Sequence, residues 1–210
     1  KPVVVWNMTK RCNLRCIHCY ARAENETYRG NELSTDEGKR LIDDLAEFGV
    51  PVILFSGGEP VLRKDLPDLI DYAVKKGLRA VISTNGTLIT EEKAKQFARY
   101  ALSYIGISID GTGKVNDAFR GVDGAYDLAI NGVRNAKHAG IKVGLRFTIN
   151  KKNYNEIQRI FDIIETEGIQ RVCFYHLVYA GRGSQLINED ISHEESRKVV
   201  DYIMDRTKES

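Results

Sequence analysis

Three cysteines stand within eight residues, Cys12-Asn13-Leu14-Arg15-Cys16-Ile17-His18-Cys19, directly after the apolar run Val3-Val4-Val5-Trp6-Asn7-Met8. This C-x3-C-x2-C spacing constrains the fold more than any other feature of the chain. Neither a helix nor a strand turns three side chains at those intervals onto one face, but a loop can wrap them around one small object. A metal centre is such an object. Set in a polar loop with Arg11, Asn13 and Arg15, the thiols do not read as three reduced core cysteines.

Counting ligands narrows the metal. Structural zinc takes four protein ligands, usually from two paired knuckles, and this chain has one triplet and no second C-x2-C. A four-iron cluster needs one ligand per iron, so three cysteines leave one iron open to a substrate or cosubstrate. The other candidates for a fourth ligand are His18, which would crowd Cys16 and Cys19, and Cys173, which reads as a small buried residue of a core strand.

The rest of the chain reads as a holder for this loop. Apolar runs at 3–8, 52–55, 80–83, 104–109, 143–149 and 171–178 alternate with amphipathic helical patterns. The first helix starts at Ser34 or Thr35, buries Leu41, Ile42, Leu45, Ala46 and Phe48, and ends at Gly49. Further helices are expected over 66–76, 91–100, 125–139, 155–167 and 193–207. Right-handed crossovers between such units demand a parallel sheet covered by helices. Periodicity alone leaves open whether that sheet is flat or curved into a barrel.

The 210 residues suit one large domain. With 31 basic and 29 acidic side chains, the net charge is +2, so no whole-protein field draws the chain to nucleic acid or a membrane. No apolar run approaches the ~20 residues of a membrane span, and a cytoplasmic setting is expected, which suits unpaired cysteines. The chain starts without Met on a strand and stops within a helical pattern at Ser210, so it reads as the core of a longer protein.

In parallel α/β folds, ligands bind at the carboxyl ends of the strands. Residues with chemistry cluster there. After the second run comes Ser56-Gly57-Gly58-Glu59-Pro60, two glycines that let backbone approach a ligand and an acidic acceptor, or else a turn. After the third comes Ser83-Thr84-Asn85-Gly86, a set of hydroxyl and amide groups that also reads as a turn. Ser108 and Asp110, two apart, share a face, although Asp110-Gly111 also suits a turn. Arg146 within an apolar strand needs an anionic partner, either a ligand or a core Asp. His176, Tyr179 and Arg182 close the sixth unit and suit substrate contacts, with a core role the alternative for His176.

The cysteine loop after the first strand and the Gly-Gly-Glu-Pro run after the second resemble the radical S-adenosylmethionine (SAM) superfamily. The resemblance implies an α/β fold, a partial (βα)6 TIM-like barrel with parallel strands, open on one side. It implies a [4Fe-4S] cluster on Cys12, Cys16 and Cys19, with S-adenosyl-L-methionine chelated at the open iron. It further implies SAM contacts from Gly57, Gly58 and Glu59 at the amino group, Thr84 and Asn85 along the methionine, and Ser108 and Asp110 at the ribose. Arg146 is the expected carboxylate partner, with Arg120 and Arg63 competing, and His18 is counted with the cofactor-binding residues. The implied reaction is reductive cleavage of SAM to a 5′-deoxyadenosyl radical that abstracts hydrogen, with reduced ferredoxin or flavodoxin as electron donor.

Within the superfamily, residues 3–12 and 174–183 resemble the haem and haem d1 branch, especially members that remove acetate side chains from didecarboxysiroheme, a tetrapyrrole. Asp117-Ala118-Phe119-Arg120-Gly121 is shared more widely, with peptide-modifying members. Those haem-branch relatives continue into a cysteine-rich extension for an auxiliary cluster, and the single expected domain, 1–210, stops before one. A radical SAM peptide maturase and a non-catalytic cluster- or zinc-binding module are the alternatives.

Overall fold

A computed structural model describes residues 1–208; the helical pattern at Ser210 runs outside them. Six strands form, β1 (Val4–Asn7), β2 (Val52–Ser56), β3 (Arg79–Thr84), β4 (Tyr104–Ser108), β5 (Val143–Ile149) and β6 (Val172–His176). They lie in one sheet in the order β1-β2-β3-β4-β5-β6, with every neighbouring pair parallel. Spatial order equal to chain order means that each right-handed crossover steps the same way, so the helices stay on one face. A doubly wound sheet would reverse direction partway. The sheet therefore curls, by its own twist, into a half-barrel whose edge strands β1 and β6 do not meet.

The covering helices are α1 (Thr35–Phe48), α2 (Leu66–Lys75), α3 (Glu91–Arg99), α4 (Gly113–Arg120), α5 (Ala125–His138), α6 (Ile157–Glu167) and α7 (His193–Lys208). Their apolar stripes meet the outer face of the sheet. Leu69, Phe97, Val133 and Ile160 pack in one core with Phe55, Ile82, Ile105 and Phe147, all essentially without solvent contact. Each such side chain contributes roughly 1.5–3 kcal/mol by leaving water. Among the described residues no helix is long and apolar enough to cross a membrane.

Helix α1 starts as its sequence dictates. Ser34 caps it, its Oγ accepting from the Glu37 amide while the Glu37 carboxylate accepts from the Ser34 amide, and Gly49 closes it at φ +77°. One stripe residue departs: Phe48, the last helical position, is 67% exposed, because the chain turns at Gly49 before that face reaches the sheet. Helix α4 has no counterpart among the expected elements. It begins without a side-chain cap, at Thr112-Gly113, and spans only two turns.

On the inner face, small residues make room for large ones. A Cβ at Gly144 would lie 2.2 Å from the Tyr104 hydroxyl, and one at Gly106 would lie 3.1 Å from Arg146 Cδ. The two glycines let Tyr104 and Arg146 lie inside the curled sheet.

Gly132, inside α5, is set against the Gly86 turn, where an added Cβ would come 2.2 Å from the Gly86 carbonyl oxygen. Gly132→Ala, which in an open helix would stabilise by up to ~1 kcal/mol, is expected to destabilise by about 1–3 kcal/mol through overpacking. A urea titration of the two proteins checks the sign.

Candidate functional site

At the carboxyl ends of the strands lies a cavity of ≈ 350 Å³ lined by residues from all six strand-end segments. Cys12, Cys16, Cys19 and His18 line it from the first, Gly57 and Gly58 from the second, Thr84 and Asn85 from the third. Ser108 comes from β4, Arg146 from β5, and Arg120 from the end of α4. A larger depression of ≈ 570 Å³ lies on the outer face between α5 and α6, but it carries no thiols, only Thr112 of the strand-end segments reaches it, and its Arg134 and Glu167 already pair.

The cysteine loop is held by contacts distant in sequence. Arg15 and Ile17 amides donate to the carbonyls of Arg120 and Phe119 at the end of α4, both at 2.9 Å. From beyond β6, the Arg182 amide donates to the Cys19 carbonyl at 2.9 Å. Its guanidinium donates to the carbonyls of Cys16 and Ala23, each at 2.8 Å. Arg182, read from sequence as facing substrate, is thus a clasp on the loop, although it also lines the cavity.

Each sulfur already accepts a donor. Cys12 Sγ accepts from the Leu14 amide at 3.4 Å, Cys19 Sγ from the Ala23 amide at 3.4 Å, and Cys16 Sγ from Arg120 Nη1 at 3.5 Å. Burial pushes the Cys12 thiol up to about 12 and raises Cys16 as well, with Arg120 opposing the rise at Cys16. A bound metal centre would deprotonate both outright. Around the same loop, His18 Nδ1, Arg120 Nε and Arg182 Nη2 are buried without a hydrogen-bond partner. Three thiols lining one cavity, with orphaned polar atoms beside them, fit a metal centre seated at that wall. A cluster would be held by Cys12, Cys16 and Cys19.

Two expected ligand contacts lie behind the wall instead of on it. Glu59 is 0% exposed. Its carboxylate accepts from the Val61 amide at 3.0 Å, the Thr84 hydroxyl at 2.7 Å and the Asn85 amide at 2.8 Å. Burial pushes this carboxyl up while those three donors pull it down. Glu59 therefore ties the turn after β2 to the turn after β3, and acts on the cavity through Thr84 and Asn85. Asp110, 1% exposed, accepts from the Thr148 amide at 2.8 Å and ion-pairs through Oδ2 with Arg120 Nη2 at 2.6 Å. His18 Nε2 lies 3.2 Å from the same oxygen. Burial lowers the His18 pKa although Asp110 pulls it up. Of the pair Ser108 and Asp110, only Ser108 lines the cavity.

The glycines answer to the protein as much as to a ligand. A Cβ on Gly57, at φ +136°, would lie 2.4 Å from the Thr9 carbonyl oxygen, and one on Gly58 would lie 2.2 Å from that of Arg11. Their absent side chains let the second turn dock on the chain leading into the cysteine loop. The Gly58 and Glu59 amides donate to those two carbonyls at 2.7 Å.

The arginines separate cleanly. Arg63 is occupied with Asp65 and with the carbonyls of Met8 and Leu33, and Arg120 with Asp110 and Cys16. Arg146 lines the cavity, stacks on Tyr175 at 4.9 Å, and has no acidic partner among the described residues. Thr148, two residues on and on the same wall, went unread in the sequence although the period-2 rule marks it. His176 is an exposed lining residue, not a core one. Cys173 is half-buried opposite Arg146 in the β5–β6 register and does not line the cavity, which corrects its reading as a buried core residue.

A parallel half-barrel carrying a three-cysteine loop and an open cation at its strand ends defines a class of cofactor-dependent enzyme folds. The chain belongs to the Radical SAM superfamily, whose profile matches residues 6–164. It is 64% identical over 208 residues to the Fe-coproporphyrin III synthase of Methanosarcina barkeri, covering 99% of this chain and 52% of that protein. It is 44% identical over 215 residues to the pre-heme d1 synthase of Dinoroseobacter shibae, covering 100% and 52%. The chain thus spans about half the length of these curated relatives. In fold it superposes on Streptococcus suis SuiB bound to S-adenosylmethionine with a TM-score of 0.83 at 20% identity, over 99% of this chain and 47% of that one.

Proposed function

We propose that this chain is the catalytic core of a radical SAM enzyme acting on a tetrapyrrole, and that its reaction removes acetate side chains from didecarboxysiroheme. The observation that carries the catalytic part is the convergence of three thiols, the Thr84–Asn85 turn, Ser108 and the unpaired Arg146 on one cavity. The substrate part is supported by the 64% identity to a protein named Fe-coproporphyrin III synthase, since removing acetate groups from didecarboxysiroheme leaves an iron coproporphyrin.

When bound, a [4Fe-4S] cluster would supply the low-potential electron needed for reductive cleavage of S-adenosyl-L-methionine to methionine and a 5′-deoxyadenosyl radical. The chain's own residues do the positioning. Cys12, Cys16 and Cys19 would hold the cluster, on a loop that Arg182 and the end of α4 keep in shape. Gly57 and Gly58 bring bare backbone to the cavity wall, and Thr84 and Asn85, fixed by Glu59, present a hydroxyl and an amide. Arg146 offers a fork suited to a carboxylate and would hold the methionyl carboxylate, and Ser108, on the same cavity, would bind the ribose. Reduced ferredoxin or flavodoxin serves as donor in the cytoplasm.

The test is anaerobic incubation of the reconstituted protein with SAM, dithionite and didecarboxysiroheme, followed by mass spectrometry. Loss of two acetate groups is the expected result. Release of 5′-deoxyadenosine with an unaltered tetrapyrrole would refute the substrate and turn attention to peptides. Arg146→Gln is expected to weaken SAM binding at least tenfold with the cluster content unchanged.

A further inference from the structure

The three sulfurs are not equivalent. Cys12 accepts from the Leu14 amide and, at 3.9 Å, from Asn85 Nδ2, and Cys19 accepts from the Ala23 amide, whereas Cys16 accepts from a charged donor, Arg120 Nη1, at 3.5 Å. That guanidinium is not a mobile surface group. Its side chain is 7% exposed, and the backbone of its helix end is bonded to the cysteine loop at Arg15 and Ile17. Gly121, at φ +70°, lets the two segments touch, since a Cβ there would lie 2.8 Å from the Arg15 carbonyl oxygen. Behind Arg120 stands Asp110, its Oδ2 at 2.6 Å from Nη2 and its Oδ1 held by the Thr148 amide. Sulfur, cation and carboxylate thus form a fixed row from Cys16 into the interior.

We infer that Arg120 and Asp110 are a charge pair that sets the reduction potential of the cluster through Cys16, Arg120 raising it and Asp110 lowering it. The inference rests on the cluster assignment above. On reduction the cluster takes one electron from an external donor, no protein bond forms or breaks, and its net charge falls by one. A buried cation donating to a ligand sulfur favours that added negative charge, and a buried carboxylate disfavours it. Little water screens either one, because both side chains are enclosed. Arg120 is in this account a positioning and tuning residue for the cluster, distinct from Arg146, which is open to a ligand.

The experiment is an EPR-monitored redox titration, with dithionite as reductant and no SAM, of the reconstituted native protein and its variants. Arg120→Gln is expected to shift the reduction equilibrium at least tenfold toward the oxidised cluster, a fall of about 59 mV for one electron. Asp110→Asn is expected to shift it by a similar factor the other way. Arg120→Lys, which keeps the cation where Arg120→Gln fails to fold, is expected to retain most of the native midpoint. General loosening of the loop cannot produce opposite shifts. Midpoints unchanged in the variants, or moved in one direction by all of them, would overturn the inference while leaving the cluster assignment intact. A native protein that assembles no [4Fe-4S] cluster would overturn both.

Discussion

Cys16→Ala is expected to lose the [4Fe-4S] cluster altogether, with iron and sulfide falling to background after anaerobic reconstitution and desalting. The same holds for Cys12→Ala and Cys19→Ala, because a cluster with one iron reserved for SAM has no spare protein ligand to lose. Cys173→Ala, by contrast, is expected to retain full iron, since Cys173 does not line the cavity. Iron retained in Cys16→Ala, or lost in Cys173→Ala, would show that the ligand set has been misassigned. The helices should persist in each variant, as the core formed by Phe55, Ile82, Ile105 and Phe147 lies on the opposite face of the sheet from the cavity. A far-ultraviolet spectrum alongside the iron measurement separates cluster loss from unfolding.

Glu59→Ala is the change expected to cost most in stability. It would strand two backbone amides and a hydroxyl, those of Val61, Asn85 and Thr84, in a site with no solvent. Each unsatisfied buried group costs ~1–3 kcal/mol, so a loss of roughly 3–5 kcal/mol is expected, a large part of the 5–15 kcal/mol by which domains are usually stable. Glu59→Gln keeps the volume but turns an amide donor toward one of the three existing donors, and is expected to cost about half as much. Urea unfolding of the cluster-free protein measures both. Native stability in either variant, combined with lost SAM affinity, would mean that Glu59 reaches the ligand directly and that its enclosure is not its role.

The six strands were legible because each is a short apolar run bounded by glycine or polar turns, and the observed ends depart from the expected ones by at most two residues. Curvature was not legible from periodicity, because a flat and a curled parallel sheet bury the same alternating faces; the strand order decides it. Helix α4 escaped notice for want of a cap or length, although its buried Asn116, Phe119 and Arg120 follow the helical spacing. The cavity-lining residues mostly stood where strand ends predict them. Glu59 did not, since the short 3-10 turn Pro60–Leu62 folds its carboxylate back under the Thr84–Asn85 turn. Nor could the row Cys16–Arg120–Asp110 or the Arg182 clasp be read from sequence, because each joins segments about a hundred residues or more apart that only the closure of the fold brings together.

Activation of SAM at a three-cysteine cluster in this cavity has a product that can be measured. The most direct measurement is the yield of 5′-deoxyadenosine from the reconstituted native protein under dithionite, set against Cys16→Ala. Deoxyadenosine is expected from the native protein and none above background from the variant. A native protein that takes up zinc in place of iron, or that holds a full cluster and never cleaves SAM, would show that the cavity has no such activity.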